Sequence, residues 1–163
     1  MKIGIISDTH DGINKIKYSV KLFNDRNVQF AIHCGDYVNP SAVKAFKGIK
    51  LIGILGNNDI DVAGLSYAFK EIGGEIKGDF FEFQQDGLRI AVYHGTQHQR
   101  KVSLINSESY DVFFCGHTHK MENRQIGKTR VINPGTAKGW FVGYRSTIAI
   151  FDSLTKDIEF LYI

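Results

Sequence analysis

Five short segments of the chain carry side chains able to bind a metal ion, and each follows a run of apolar residues. Ile3-Gly4-Ile5-Ile6-Ser7 leads to Asp8-Thr9-His10, Ala31-Ile32-His33-Cys34 to Gly35-Asp36, and Leu51-Ile52-Gly53-Ile54-Leu55 to Gly56-Asn57-Asn58-Asp59. Further on, Ile90-Ala91-Val92-Tyr93 leads to His94-Gly95, and Val112-Phe113-Phe114-Cys115 to Gly116-His117-Thr118-His119. Singly, each is weak. Asp-x-His is most often a capped turn, and Gly-Asp after a strand is ordinary turn chemistry. Gly-His-Thr-His is the most specific, because side chains two apart on an extended backbone point the same way. Their joint placement carries the weight: four of the six histidines fall in these segments. Parallel strands share a direction, so the segments that end them converge on one edge, where open α/β sheets hold their ligands.

The donors Asp8, His10, Asp36, Asn57, His94, His117 and His119 suit a two-metal centre. Two divalent cations about 3.5–4 Å apart repel each other and need a bridging carboxylate or hydroxide between them. A lone aspartate at a strand end serves well, and Asp36 is the candidate. Asp8-x-His10 and His117-x-His119 each offer two ligands from one short loop. Neutral imidazoles and the Asn57 amide oxygen complete the shells without excess negative charge. Two aspartates and one hydroxide against four positive charges leave the centre net positive, so it attracts phosphate oxygens. No cysteine stands among the donors, which argues against a structural zinc site. Mixed oxygen and nitrogen ligands suit manganese, iron, nickel, cobalt or zinc, with manganese the favoured expectation.

The elements that must position these residues are legible in the spacing. Met1 to Ser7 reads as a buried strand, and Gly12 to Arg26 places Ile13, Ile16, Val20 and Phe23 at helical period. Phe30 to Cys34, a short helix from Pro40 to Phe46, and Lys50 to Leu55 follow, an alternation that predicts a parallel sheet. After a helix around Val62 to Ile72 the connections shorten to tight turns, which predicts antiparallel hairpins. Phe80 to Gln84 and Leu88 to Tyr93 flank Asp86-Gly87; Glu122 to Ile126 and Arg130 to Asn133 flank Gly127-Lys128; Thr147 to Asp152 and Ile158 to Ile163 close the chain. A helix from Gln99 to Asn106 and a strand from Val112 to Cys115 interrupt the hairpins. The expectation is one α/β domain over residues 1–163, built from two packed mixed sheets with helices outside.

Bulk properties exclude several classes. With 43% hydrophobic and 23% charged residues over 163 positions, the chain has the composition of a globular domain. A net charge of +3, from 20 basic and 17 acidic residues without a basic block, gives no nucleic-acid-specific surface. No stretch has the apolar length of a membrane span, and neither signal peptide nor anchor is read. Cys34 and Cys115, each in an apolar run, are expected to be buried thiols in a reducing cytoplasm. A homo-oligomer stays open.

The ordered blocks Asp8-x-His10, Gly35-Asp36, Gly56-Asn57-x-Asp59, His94-Gly95 and Gly116-His117-x-His119 resemble those of the calcineurin-like metallophosphoesterases, over residues 8 to 119. Short length and the turn Asn133-Pro134-Gly135-Thr136 look most similar to the small bacterial and archaeal phosphodiesterase branch. The resemblance implies a four-layer α-β-β-α sandwich and an enzyme that hydrolyses small phosphodiesters. It also implies that Asp8, His10, Asp36 and His119 hold one metal, while Asp36, Asn57, His94 and His117 hold the other. A bridging hydroxide would attack phosphorus in line, which makes Asp36, Asn57 and His94 catalytic. A non-catalytic alternative also exists, because a retromer subunit resembles this fold while serving in assembly.

Two positions depart from the pattern. Asn58 stands where many relatives have a histidine that acts as leaving-group acid, and an amide cannot give up a proton at neutral pH. Thr96 stands where related sequences often read His-Gly-His; His98 either covers that role or is a solvent-facing helix-start residue. His33, inside an apolar run, reads as a hydrogen-bonded core histidine. Arg100 and Lys101 are candidates to steer a phosphate, against the default of solvated charge. Asp59 either orients a ligand or caps the next helix. Gly127-Lys128-Thr129 reads as a hairpin turn, since a phosphate-binding loop would need glycine where Glu122 stands.

Overall fold

The apolar runs form strands whose two faces are both covered. In β1 (Lys2–Ile6), Ile3 and Ile5 enter one apolar layer and Ile6 enters another, and all three are fully buried. A strand buried on both sides reads as a continuous apolar run rather than an alternation. The computed structural model describes residues 1–138 and 145–163.

α1 (Ile13–Asp25) turns Ile16, Val20 and Phe23 inward, as the helical spacing requires, and leads to β2 (Phe30–His33). α2 (Pro40–Lys44) opens on its proline and leads to β3 (Leu51–Gly53). α3 (Val62–Glu71), capped by the Asp61 carboxylate accepting from the Gly64 amide, leads to the two-residue β4 (Glu75–Ile76). β1, β2, β3 and β4 pair in parallel, with Ile3 opposite Phe30 and Ala31 opposite Leu51. The hairpin β5 (Phe80–Gln85) and β6 (Leu88–Tyr93) starts a second sheet. α4 (His98–Asn106) carries the chain to β7 (Val112–Phe114), and the hairpin β8 (Met121–Ile126) and β9 (Thr129–Pro134) completes that sheet. β10 (Thr147–Asp152) returns to pair antiparallel with β1, and β11 (Ile158–Tyr162) pairs with β10.

The sheets therefore run β11-β10-β1-β2-β3-β4 and β5-β6-β7-β9-β8. Three apolar layers join four tiers. Between the sheets, Ile3, Ile5 and Ile32 face Ile90, Val92 and Phe114. Outside the first sheet, Ile16 and Phe23 of α1, Val43 of α2 and Phe69 of α3 cover Ile6, Ala31 and Leu51. Outside the second, Ile105 of α4 packs with Tyr93, Phe113 and Val131. The result is the expected α-β-β-α sandwich. Element bounds differ from expectation by one or two residues at most ends, the usual fraying.

Two findings go beyond the sequence reading. β4 is absent from it, since two residues carry no period. The hairpin expectation for the second half holds for β5–β6, β8–β9 and β10–β11, yet β6, β7 and β9 run parallel to one another. That parallel core is what aligns the ends of β6 and β7 with the ends of β1, β2 and β3. Cys34 and Cys115 are buried free thiols. Among the described residues no helix is long and apolar enough to cross a membrane.

Candidate metal centre

The loops that leave β1, β2, β3, β6 and β7 meet along one edge of the sandwich because neighbouring strands of each sheet point the same way. Glycines set how closely they approach. A Cβ on Gly56 would stand 2.2 Å from Asp36 Oδ1, and one on Gly116 would stand 1.9 Å from Ser7 Oγ and 2.7 Å from Asp8 Oδ2. Only glycine admits such contacts. Backbone hydrogen bonds then tie loop to loop: Asp8 N–H to Gly35 O at 3.0 Å, His10 N–H to Asp36 O at 3.1 Å, and Gly116 N–H to His94 O at 3.0 Å.

The residues so held adopt unusual backbone. Asp8, His10, Asp36, His117 and His119 all have positive φ, at 53°, 38°, 66°, 71° and 60°. The left-handed region costs a non-glycine residue roughly 1 kcal/mol or more, and such residues gather where surrounding bonds over-determine the chain. Five of the seven expected donors share this strain.

Asp8, Asp36 and His94 are essentially inaccessible to solvent. Asp8 joins two groups of donor atoms, one with His10 and His119 and one with Asp36 and His94. Asp8 Oδ2 accepts from Ser7 Oγ at 2.6 Å and from the His117 amide at 3.0 Å, which turns Oδ1 toward the site. His94 Nδ1 lies 2.7 Å from the Cys34 carbonyl, so Nδ1 carries the hydrogen and Nε2 presents its lone pair inward. Asp8 Oδ1 and His94 Nε2 are both buried without a hydrogen-bond partner. His119 Nε2 stands 3.2 Å from that Oδ1, within ion-pair reach but without hydrogen-bond alignment.

The separations fit a cation. Ligand atoms bound at ~2.1 Å in a tetrahedral arrangement stand ~3.4 Å apart. His10 Nε2 and His119 Nε2 are 3.4 Å apart, His94 Nε2 and Asp36 Oδ2 are 3.4 Å apart, and His10 Nε2 and Asp36 Oδ2 are 3.7 Å apart. Asp36 Oδ2 thus faces both groups of donors. The electrostatics agree. Burial pushes the Asp36 carboxyl up, but His94 and the two N–H groups of Asn58 outweigh it and hold it well below the usual carboxylate range. Burial pulls His10 and His117 down, which keeps their lone pairs available. His119 is raised by Asp8, and His94 is raised by Asp36 and Asp8 in spite of its burial. Two carboxylates that draw protons onto neighbouring imidazoles draw a divalent cation more strongly.

Asn57 and His117 stand at the solvent side, and His117 belongs to neither group of donors. Asn57 Oδ1 accepts from Thr96 Oγ1 at 3.4 Å, so Thr96 has a place in the loop without being a histidine. His117 packs edge to face on His94, with ring centroids 5.1 Å apart. Asn58 donates to Asp36 twice, from its backbone at 2.9 Å to Oδ1 and from Nδ2 at 2.7 Å to Oδ2. Asp59 is not the helix cap; Asp61 is. The Asp59 carboxylate instead accepts four backbone amides, from Asp36, Tyr37, Val38 and Gly56, at 2.7–2.9 Å.

His98 is exposed at the first turn of α4. Arg100 is paired with Asp79 and lies over the Tyr93 ring at 4.7 Å, so its charge already has partners outside the donor set. Lys101 lies along the Gly95 loop, its Cδ 3.6 Å from where a Cβ on Gly95 would be. Gly127-Lys128 turns the β8–β9 hairpin. Sequence reasoning missed Ser7, Asn133 and Thr136. Asn133 Nδ2 donates to Gly116 O at 2.8 Å, and Thr136 Oγ1 donates to Asp8 O at 2.9 Å. Asn133-Pro134-Gly135-Thr136 ends a strand that runs parallel to β7, and this brings both side chains to the same edge.

Comparison with known proteins fits this geometry. The model of the calcineurin-like phosphoesterase superfamily domain matches residues 1–156. Phosphodiesterase MJ0936 of Methanocaldococcus jannaschii is 39% identical over 161 residues, covering 96% of both chains. A solved structure described as a novel archaeal phosphodiesterase superposes over the whole of both chains with a TM-score of 0.93 at 36% identity. Vps29 of Chaetomium thermophilum shares the fold at a TM-score of 0.73 and 14% identity, over all of this chain and 97% of its own. The chain belongs to the calcineurin-like phosphoesterase superfamily.

Proposed function

We propose that this protein is a phosphodiesterase that works with two divalent transition-metal ions, manganese foremost. The observation that carries the reading is the convergence of Asp8 Oδ1, Asp36 Oδ2 and the Nε2 atoms of His10, His94 and His119 at separations of 3.2–3.7 Å. Asp8, His10, Asp36 and His119 would hold one ion, and Asp36, Asn57, His94 and His117 the other. Asp36 would be the ligand shared by both, since its Oδ2 lies 3.4 Å from His94 Nε2 and 3.7 Å from His10 Nε2. When bound, the ions supply Lewis acidity toward the phosphate and a hydroxide nucleophile at neutral pH.

The chain's own groups do the rest. The Cys34 carbonyl fixes the His94 tautomer, Ser7 and the His117 amide aim the Asp8 carboxylate, and Asn58 aims Asp36. The pairing of archaeal phosphodiesterase relatives with an intact donor set supports a diester as substrate. Free buried thiols at Cys34 and Cys115 fit a reducing cytoplasm.

The test is hydrolysis of bis(4-nitrophenyl) phosphate. Turnover should vanish with chelator and return with manganese or nickel. Fully metal-loaded protein that turned over no phosphoester would leave the scaffold alternative standing.

Asn58 shapes a second expectation. Its backbone N–H and its Nδ2 both donate to Asp36, and its amide cannot protonate a departing alkoxide. Rates over a series of diesters should therefore fall steeply as the leaving group's pKa rises, and Asn58→His should flatten that dependence. A flat dependence in the parent protein, with chemistry rate-limiting, would show that another acid serves.

A further inference from the structure

His33 is fully buried on the outer face of β2, three residues before Asp36. Its ring is stacked on Tyr37 with centroids 3.7 Å apart, and Phe46 meets it edge on. Apolar packing alone would be served as well by a phenylalanine. The two ring nitrogens point to a different use.

Their hydrogens follow from their partners. The Gly35 amide can only donate, and it lies 3.1 Å from Nδ1, so Nδ1 is an acceptor and the hydrogen sits on Nε2. Nε2–H then donates to Thr9 Oγ1 at 3.1 Å. The Thr9 hydroxyl passes its own hydrogen to the Asp36 carbonyl at 3.4 Å. The chain of bonds leaves the β2 loop at Gly35, crosses to Thr9 between Asp8 and His10, and returns to the β2 loop at Asp36. It links the two loops whose donors converge, and every member is buried. Asp8, His10 and Asp36 are all left-handed. A backbone held in that region persists only while neighbouring contacts over-determine it.

We propose that His33 is a positioning residue that acts through Thr9 to fix the Asp8–His10 loop against the Asp36 loop, and so sets the affinity of the site for its cations. The proposal rests on the assignment of Asp8, His10 and Asp36 as metal ligands. It does not depend on the reaction.

Two substitutions separate the two ends of the relay. His33→Asn keeps an acceptor for Gly35 but falls short of Thr9, and Thr9→Val removes the hydroxyl while keeping shape. Affinity is read by calorimetric titration of the chelator-stripped protein with manganese ion alone, and stability by thermal unfolding in chelator. Outer partners of metal ligands typically contribute about 10- to 100-fold in affinity. Each variant should lose affinity in that range, the double variant should lose no more than the worse single one, and Thr9→Ser should restore it. Unchanged affinity in Thr9→Val, additive losses in the double variant, or failure of Thr9→Ser to rescue would overturn the proposal. Wild-type protein that binds manganese but hydrolyses nothing would sink the enzymatic reading and leave this one intact.

Discussion

Asp8→Asn is expected to abolish most hydrolysis while raising the stability of the protein in chelator. Both effects come from one oxygen. The amide's own oxygen can take over the Oδ2 position, accepting from Ser7 Oγ and the His117 amide, so the loop keeps its shape. That places an NH2 group where Oδ1 had offered lone pairs to the site. Donors replace acceptors at the one residue common to both groups of donor atoms. Manganese affinity should fall by more than the ~100-fold upper range of an outer-shell change, and turnover by about 10³-fold. Stability moves the other way. Asp8 is fully buried and its Oδ1 has no hydrogen-bond partner, and an ionised carboxylate in that state costs more to bury than a neutral amide. Removing the charge should recover part of that, a rise of a few degrees in Tm for a domain of this size. Activity at the wild-type level would remove Asp8 from the proposed ligand set. A lower Tm in chelator would mean that its carboxylate serves the fold rather than the cation.

That opposition between activity and stability explains why the site was more legible than some of the fold around it. Metal chemistry needs particular atoms, so aspartate, histidine and asparagine at strand ends stand out against apolar runs. Asp8, His10, Asp36, His94 and His119 were each visible in that way, and the structure brings their donor atoms together. β1, β2 and α1 were equally plain because burial on known faces dictates their period. β4 was invisible because two residues have no period. The parallel run of β6, β7 and β9 was hidden behind the tight hairpin turns on either side, since a turn reports its own two strands and not the strand's other neighbour.

The supports of the site were the least legible part. Ser7, Thr9, Asn133 and Thr136 act through hydrogen bonds to a neighbouring carboxylate, to the His33 ring or to another loop's backbone, and no spacing in the sequence records such partners. Arg100 illustrates the converse. Its position after the His94 loop made it a plausible phosphate contact, but Asp79 and the Tyr93 ring already hold it. Left-handed backbone at the candidate ligand positions is likewise a property of assembled loops, absent from any single segment.

Asp59 is where that hidden support is concentrated, and its loss is the second large effect expected. Its carboxylate gathers the amides of Asp36, Tyr37 and Val38 from the β2 loop and of Gly56 from the β3 loop. Val38, with φ of 79° on a β-branched residue, is held in a conformation that needs such a clamp. Asp59→Ala leaves four amide donors without their acceptor in a site 5% exposed to solvent. Breaking a buried charged network of this kind typically costs about 3–5 kcal/mol, a fall in Tm of roughly 10 °C. Asp59→Asn, which keeps one oxygen and sets an NH2 against the remaining amides, should be nearly as damaging even though it is isosteric. Manganese affinity should fall with both, because the Asp36 amide is one of those released. Thermal unfolding in chelator isolates the effect on the fold, and titration with manganese isolates the effect on the site. A Tm within one or two degrees of wild type for Asp59→Ala would show that water replaces the carboxylate at little cost, and that the β2 and β3 loops hold their geometry by backbone pairing alone.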